Sequence, residues 1–301
     1  MCRGISLQEK VVITGAGGQL ASELLRYADR AFCCVPLERA QLDIGDARAL
    51  SDRLQQHAPR LVINAAAYTA VDAAETDADA ARRANELGPA NLARACRQQG
   101  IRLMHVSTDF VFDGLASRPY AASAPTAPLG EYGRSKLAGE IAVREALPDA
   151  LIVRTGWVYS MFGNNFVKTM LRLMAQRDEL AVVADQVGTP TWAAGLARAL
   201  WAAAARPQLG GIYHWSDAGV CSWYDFAVAI YEEGCAAGLL QRPVRIRPIG
   251  SDEYPTAARR PAYSVLDKTG TWRDLELEPV HWRQQLRAML AQYRDGSHAD
   301  V

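Results

Sequence analysis

Tyr132 and Lys136, in the stretch LGEYGRSKLAGE (129–140), stand four residues apart in a chain with eleven tyrosines and only four lysines, Lys10, Lys136, Lys168 and Lys268. Arginine supplies nearly all the other positive charge, so the position asks for an ammonium in particular. On a helix the two side chains share one face. An ammonium beside a phenol stabilises the phenolate and is expected to draw the tyrosine down from about 10 toward the working range. Such a tyrosine can hand a proton to a carbonyl oxygen while hydride arrives at the carbon. Standing alone, the pair reads equally as a surface contact; its surroundings decide.

Two further stretches supply those surroundings. HVSTDFVFDG (105–114) closes an apolar run of strand length. That places Ser107 and Thr108 at the carboxyl edge of a sheet, where open α/β folds bind ligands. Thr108 can hydrogen-bond a substrate carbonyl, and Asp109 can hold a neighbouring hydroxyl or the loop itself. VVITGAGGQLASELL puts a glycine-rich turn directly between the first strand and the first helix. Gly15 can take the tight turn, Gly18 lets backbone N–H groups approach a pyrophosphate, and the helix beginning at Gln19 turns its positive end toward it. Gly15, Gly18 and Ala21 follow GxxGxxA, a variant of the dinucleotide fingerprint.

At the end of the second strand, Glu38 can accept from a ribose 2′-hydroxyl and Arg39 can pair with a 2′-phosphate. These point to NAD and NADP respectively, with the lean to NADPH and NADH the alternative. A solvated Glu38–Arg39 pair is the third reading. Asp43 stands where a carboxylate can hold an adenine amino group or cap a helix. NAAAYTAVDAAE (64–75) closes the third strand with small residues that let a cofactor lie close. Asn85, on the following helix, either braces the site or simply caps and packs.

These residues need a scaffold, and the chain has one. VVIT (11–14), FCCVPL (32–37), RLVINAAA (60–67), IRLMHVST (101–108) and ALIVRT (150–155) have strand length and β-branched character. Helical periodicity covers 19–29, 46–57, 79–99 and 131–146. Regular β-then-α alternation predicts a parallel, doubly wound sheet with right-handed crossovers. Past about residue 156 the rhythm is broken by Pro and Gly, with helices expected near 164–177, 195–205, 222–236 and 282–293. The expected division is a nucleotide-binding domain over 1–156 and a smaller substrate lobe over 157–301, partly interleaved with the sheet.

Composition narrows the class further. Lys plus Arg equals Asp plus Glu at 33 each, with no basic run, so a nucleic-acid partner is not expected. No apolar run approaches a membrane span, and MCRGISLQEK lacks the apolar core of a signal peptide, so a soluble cytoplasmic protein is expected. Cys2, Cys33, Cys34, Cys96, Cys221 and Cys235 follow no metal or redox spacing, and Cys33 and Cys34 read as lying in a buried strand. Reduced packing cysteines are the expectation. The tail RDGSHADV reads as frayed.

Together these pieces resemble the extended short-chain dehydrogenase/reductase superfamily, and within it the dTDP-4-dehydrorhamnose reductase family, over about residues 10–292. GAGGQLA, NAAAYTAVDAAE, STDFVFDG, YGRSKLAGE, RTGWVY, GNNFVKTML, DQVGTPTW and GIYHWSD occur in the family's order and spacing. The resemblance implies a Rossmann-like fold, a triad of Thr108, Tyr132 and Lys136, and Gly15, Gly18, Gln19 and Leu20 around the pyrophosphate. Lys136 would also grip the nicotinamide ribose. Ala65, Ala66 and Tyr68 would line the cofactor. Thr69, Val71, Asp109 and Trp157 would line the sugar nucleotide, and Asn164, Asn165 and Arg259 would contact its nucleotide or diphosphate. Arg259 is equally readable as part of a solvated loop.

Three departures stand out: Ala21 replaces the third glycine, Phe110 stands where the family usually has Tyr, and the loop PYAASAPTAPLG lacks the usual acidic residue before its prolines. Some family members are described as magnesium-linked homodimers. Glu23 is the position that would contribute, but a lone first-helix carboxylate reads as surface, and no metal is expected. The implied activity is NAD(P)H-dependent reduction of the 4-keto group of a dTDP-sugar to give dTDP-L-rhamnose. The alternatives are another nucleotide-sugar 4-ketoreductase, which Phe110 motivates, or a reductase-like regulatory subunit that has no catalytic role, which the intact triad argues against.

Overall fold

The computed structural model describes residues 8–296; Cys2, most of the MCRGISLQEK stretch and the tail from Ser297 onward lie outside the described residues. The first half runs β1 (Glu9–Thr14), α1 (Gln19–Arg26), β2 (Phe32–Leu37), α2 (Ala47–His57), β3 (Leu61–Asn64), then two short helices α3 (Val71–Ala74) and α4 (Ala78–Arg82). A π-helical turn over Arg83–Leu87 leads into α5 (Gly88–Gln99), followed by β4 (Arg102–Thr108), α6 (Glu131–Ala146) and β5 (Leu151–Thr155). The second half comprises β6 (Val158–Tyr159), α7 (Phe166–Gln176), β7 (Glu179–Val183), β8 (Val187–Gly188), β9 (Thr191–Trp192), α8 (Ala193–Ala204) and β10 (Gly211–His214). It continues with β11 (Cys221–Ser222), α9 (Trp223–Ala236), β12 (Arg245–Ile249), α10 (Thr269–Leu275) and α11 (Trp282–Gly296).

Six strands form one sheet in the order β10-β5-β4-β3-β1-β2, every pairing parallel. Because both faces are covered, the strands are nearly continuous apolar runs: Val11, Val12 and Ile13 are all fully buried. Their alternation sends Val11 and Ile13 to a core shared with Leu24 of α1 and Leu196, Leu200 and Trp201 of α8. Val12 goes instead to the opposite core, with Leu50 and Leu54 of α2, Leu92 of α5 and Val143 of α6. Strand order reverses at β1, whose neighbours are β2 and β3, and the crevice beyond the carboxyl ends of β1 and β3 is where such a fold takes a ligand.

β2 is an edge strand, paired with β1 alone. This corrects the expectation of a buried strand at Cys33 and Cys34: Cys33 is exposed and Cys34 half-buried. Pro36, which donates no ladder hydrogen bond, is tolerated for the same reason. Cys235 is exposed too, so it does not pack in a core, whereas Cys96 and Cys221 do; all five described cysteines are free.

The helix expected over 79–99 is helical throughout but changes pitch at Arg83–Leu87. Pro89 lacks the N–H that would close an α-helical bond onto the Asn85 carbonyl. In the second half, β10 returns to extend the sheet beside β5, while α7, α9 and α11 enclose a separate core around Phe226, Trp192, Trp282 and Met289. Among the described residues no helix is long and apolar enough to cross a membrane.

Candidate active site

A cavity of about 1130 Å³ opens along the carboxyl edge of the sheet, from Arg39 and Asp43 beyond β2 to Trp157, Asn164 and Arg260 at the other end. Its floor is the close approach of two turns. Gly15 has φ +74°, and a Cβ there would meet the Ala65–Ala66 backbone at 2.7–2.8 Å, so only glycine fits. Gly18 is the N-cap of α1; no side chain caps the helix and its first turn carries no acid, so its N–H groups face the cavity as anion donors. A buried polar thread holds this floor. Thr14 Oγ1 donates to Asn64 Oδ1 at 2.6 Å, the Ala66 N–H donates to the same oxygen at 3.2 Å, and the Asn64 amide meets His105 Nδ1 at 2.9 Å.

Thr108, Tyr132 and Lys136 all line the cavity. Thr108 ends β4, and its hydroxyl caps the short 3-10 turn Asp109–Val111 by accepting from the Phe110 N–H at 3.2 Å. Tyr132 and Lys136 sit in the first and second turns of α6, with Phe110 packed edge-on against the Tyr132 ring at 5.6 Å. Lys136 is 2% exposed and donates from Nζ to the Val106 carbonyl at 2.7 Å.

The electrostatics differ from the sequence expectation. The Tyr132 phenol is pushed up to about 12, not down: burial dominates, the Thr108 hydroxyl opposes it, and the Asp109 carboxylate adds to the rise. Lys136 is itself lowered to about 8 by burial, against the pull of Glu140. Desolvation penalises the charged form of each group and sets the direction of both shifts. The result suits a proton donor, because a phenol held above 10 is fully protonated near neutrality.

The scaffold around α6 is tied from several sides. Glu140 and Arg154 form a buried bidentate pair at 2.7–3.2 Å that locks α6 to β5. The Glu131 N–H at the start of α6 donates to Glu75 Oε1 at 2.8 Å. Asn85 is fully buried and braces the site: its Oδ1 accepts from the Tyr68 N–H at 2.9 Å, and its Nδ2 donates to the Tyr68 carbonyl at 3.0 Å and to Ser135 Oγ at 3.1 Å.

A family model described as RmlD substrate binding domain matches residues 9–295. The chain belongs to the dTDP-4-dehydrorhamnose reductase family. A dTDP-4-dehydrorhamnose reductase of Mycobacterium tuberculosis is 46% identical over 290 residues, 94% of this chain and 93% of its own. A dTDP-4-keto-6-deoxy-D-glucose reductase of Streptomyces niveus is 40% identical over 285 residues, 93% of this chain and 96% of its own. The crystal structure of dTDP-4-dehydrorhamnose reductase from Bacillus anthracis in complex with NADP superposes with a TM-score of 0.89 at 36% identity, covering 95% of this chain and all of that one.

Of the residues singled out in the sequence, Gly15, Gly18, Gln19, Leu20, Arg39, Asp43, Ala65, Ala66, Tyr68, Thr69, Val71, Asp109, Trp157 and Asn164 line the cavity. Two do not. Asn165 instead caps α7 by accepting from the Lys168 N–H, and its amide donates to Gln19 Oε1 at 3.0 Å. Arg259 is exposed and off the cavity; of the two neighbours it is Arg260 that lines it, held by Asp72 at 2.7 Å. Asp43 caps no helix: Asp46 caps α2, while Asp43 accepts from the Gly45 N–H and pairs with Arg83 at 2.8 Å. Glu23 is fully buried rather than on the surface, accepting from Ser160 Oγ at 2.6 Å, and among the described residues no group of acidic, His or Cys side chains gathers to hold a metal.

Trp223 was not legible as a site residue. It lines the cavity and stacks on Trp157 at 3.5 Å with the rings 3° from parallel. Trp157, at φ +51°, also packs against Gly188, where a Cβ would come within 2.6–2.8 Å of the indole. Only its place at the start of α9, 66 residues after Trp157, marks it, and sequence spacing carries no sign of that contact.

Proposed function

We propose that this protein is an NADPH-dependent dTDP-4-dehydrorhamnose reductase, reducing the 4-keto group of the dTDP-sugar to give dTDP-L-rhamnose. The observation that carries the reading is the convergence of Thr108, Tyr132 and Lys136 on one cavity whose floor is a glycine turn at a helix N-terminus.

The residues fit the cofactor. Gly15, Gly18, Gln19 and Leu20 would hold its pyrophosphate, Ala65, Ala66 and Tyr68 its flank, and Arg39 a 2′-phosphate, while Asp43, occupied by Arg83 and Gly45, orients that end. Bound NADPH supplies the hydride. The chain supplies the proton: Tyr132, kept protonated by burial, donates to the carbonyl oxygen as negative charge develops there. Lys136 then stabilises the phenolate that the transfer leaves behind, a charge that exists only after the proton has gone. Thr69, Val71, Asp109, Trp157 and Asn164 would receive the sugar nucleotide, with Arg260 in the place assigned earlier to Arg259. A cytoplasmic location belongs to this reading and is in keeping with the free state of the five described cysteines.

A second reading keeps the chemistry and changes the sugar. The Streptomyces niveus relative is named for a different dTDP-ketosugar, and Phe110, beside Tyr132, carries no hydroxyl toward the cavity. Purified protein assayed for NADPH and NADH oxidation against a panel of dTDP-4-ketosugars decides between them. The dehydrorhamnose substrate with NADPH should give the highest kcat/KM; a higher value with another ketosugar would transfer the assignment, and no oxidation with any would remove it.

A further inference from the structure

Thr108 has one hydroxyl proton and two lone pairs to spend. One lone pair is taken by the Phe110 N–H at 3.2 Å, and the proton is donated to Asp109 Oδ1 at 3.1 Å. The remaining lone pair is left to accept from a further donor, and the Tyr132 phenol lies close enough for the Thr108 hydroxyl to favour its ionised form. In this arrangement Thr108 has nothing left to donate to a carbonyl oxygen, which is where the proposed reduction needs a donor.

The geometry points to Asp109 as a positioning residue that sets the direction of the Thr108 proton. Protonated, Asp109 donates to Thr108 Oγ1 and frees the hydroxyl proton for the substrate carbonyl; ionised, it captures that proton and leaves Thr108 an acceptor. No bond other than O–H bonds is exchanged, and the single proton that distinguishes the two states is taken from or returned to solvent through the cavity. The inference rests on the reductase reading above and adds a residue that acts through Thr108.

The surroundings of Asp109 favour such a role. It is 2% exposed yet lines the cavity. From its own segment it faces Thr108 and the backbone N–H groups of Asp109 and Phe110; from α6 it faces Tyr132, with Lys136 on the same cavity wall. From the segment before α10 it meets the Ser264 hydroxyl. At the end of β5 it abuts Gly156, where a Cβ would fall 2.5–2.7 Å from the carboxyl atoms. Among the described residues no cation forms an ion pair with it. Burial accordingly raises its carboxyl to about 6, within reach of working pH.

The test is the pH profile of kcat/KM for the ketosugar in the wild type, Asp109→Asn and Thr108→Val. In the wild type the rate should fall about tenfold per unit above about pH 6 as Asp109 ionises. The amide introduced by Asp109→Asn accepts from the backbone N–H groups and donates permanently to Thr108. Whatever its height, that profile should stay level until Lys136 titrates near 8, a shift of the alkaline limb by about two units. Thr108→Val should be slow and lack the limb near 6. An Asp109→Asn profile that keeps the wild-type limb, merely lowered, would overturn the proposal and leave Asp109 a plain substrate contact. If the wild type turns over no ketosugar, infrared difference spectra between wild type and Asp109→Asn still decide. A carboxyl band titrating near 6 and displaced by Thr108→Val supports the proposal; a band absent above pH 5, or indifferent to Thr108→Val, refutes it.

Discussion

Gly139→Ala puts a methyl carbon where the Asn85 carbonyl oxygen already sits. A Cβ at this position of α6 would lie 2.0 Å from that oxygen, whereas a carbon and a carbonyl oxygen rest at about 3.3 Å, so about 1.3 Å must be found. The oxygen belongs to the π-helical turn, whose Asn85 side chain is fastened to both backbone groups of Tyr68 and to Ser135. Nor can α6 retreat, because Glu140 is locked to Arg154 and Gly133 already approaches the Phe110 carbonyl within 2.3 Å of an added Cβ. Overpacking against fixed backbone on both sides costs about 2–4 kcal/mol, a fall in Tm of about 4–8 °C for a chain of this size. Displacing Tyr132 and Lys136 by even a fraction of that distance should lower kcat by about 100-fold, since proton transfer depends on near-contact geometry. Gly270→Ala is the control: it lies in α10 with nothing within 4 Å of an added Cβ, and should be neutral or stabilising by about 0.5 kcal/mol. Thermal melts and steady-state NADPH oxidation read both effects. A Gly139→Ala protein matching the wild type in Tm and kcat would refute the claim that α6 and the π-helical turn are held in register by this contact.

Glu140→Gln should strand the buried Arg154 guanidinium and cost about 3–5 kcal/mol in urea unfolding, far beyond the loss at an exposed pair such as Arg134–Glu131. Arg39→Ala should raise KM for NADPH by about tenfold or more while leaving KM for NADH nearly unchanged; equal losses for both would show that Arg39 reads no 2′-phosphate. Glu233, which ties α9 to Arg283 and Arg287 of α11, is lowered to about 2 by the Arg287 hydrogen bonds first and then Arg283, against burial. Because its folded value lies below the ordinary 4.5, its contribution is complete above about pH 4.5 and is lost as pH falls toward 2. Urea midpoints across that window should drop in the wild type, and the drop should be smaller in Glu233→Gln.

What the sequence determined by itself is whatever short-range geometry encodes. Of the first-half strands, β1, β3, β4 and β5 were legible because burial on both faces demands nearly continuous apolar runs, and the glycine turn because only glycine at position 15 can take φ +74° against the Ala65–Ala66 backbone. Tyr132 and Lys136 were legible as a pair because an α-helix brings residues four apart onto one face whatever surrounds it. What only the tertiary structure decided are quantities summed over atoms distant in the chain. Cys33 is exposed because β2 ends the sheet, Glu23 is buried because Ser160 meets it from 137 residues away, and Arg260 rather than Arg259 faces the cavity because Asp72 holds it. The phenol of Tyr132 rises instead of falling for the same reason: the spacing to Lys136 is local, but the desolvation that sets the shift comes from packing that no spacing of residues displays.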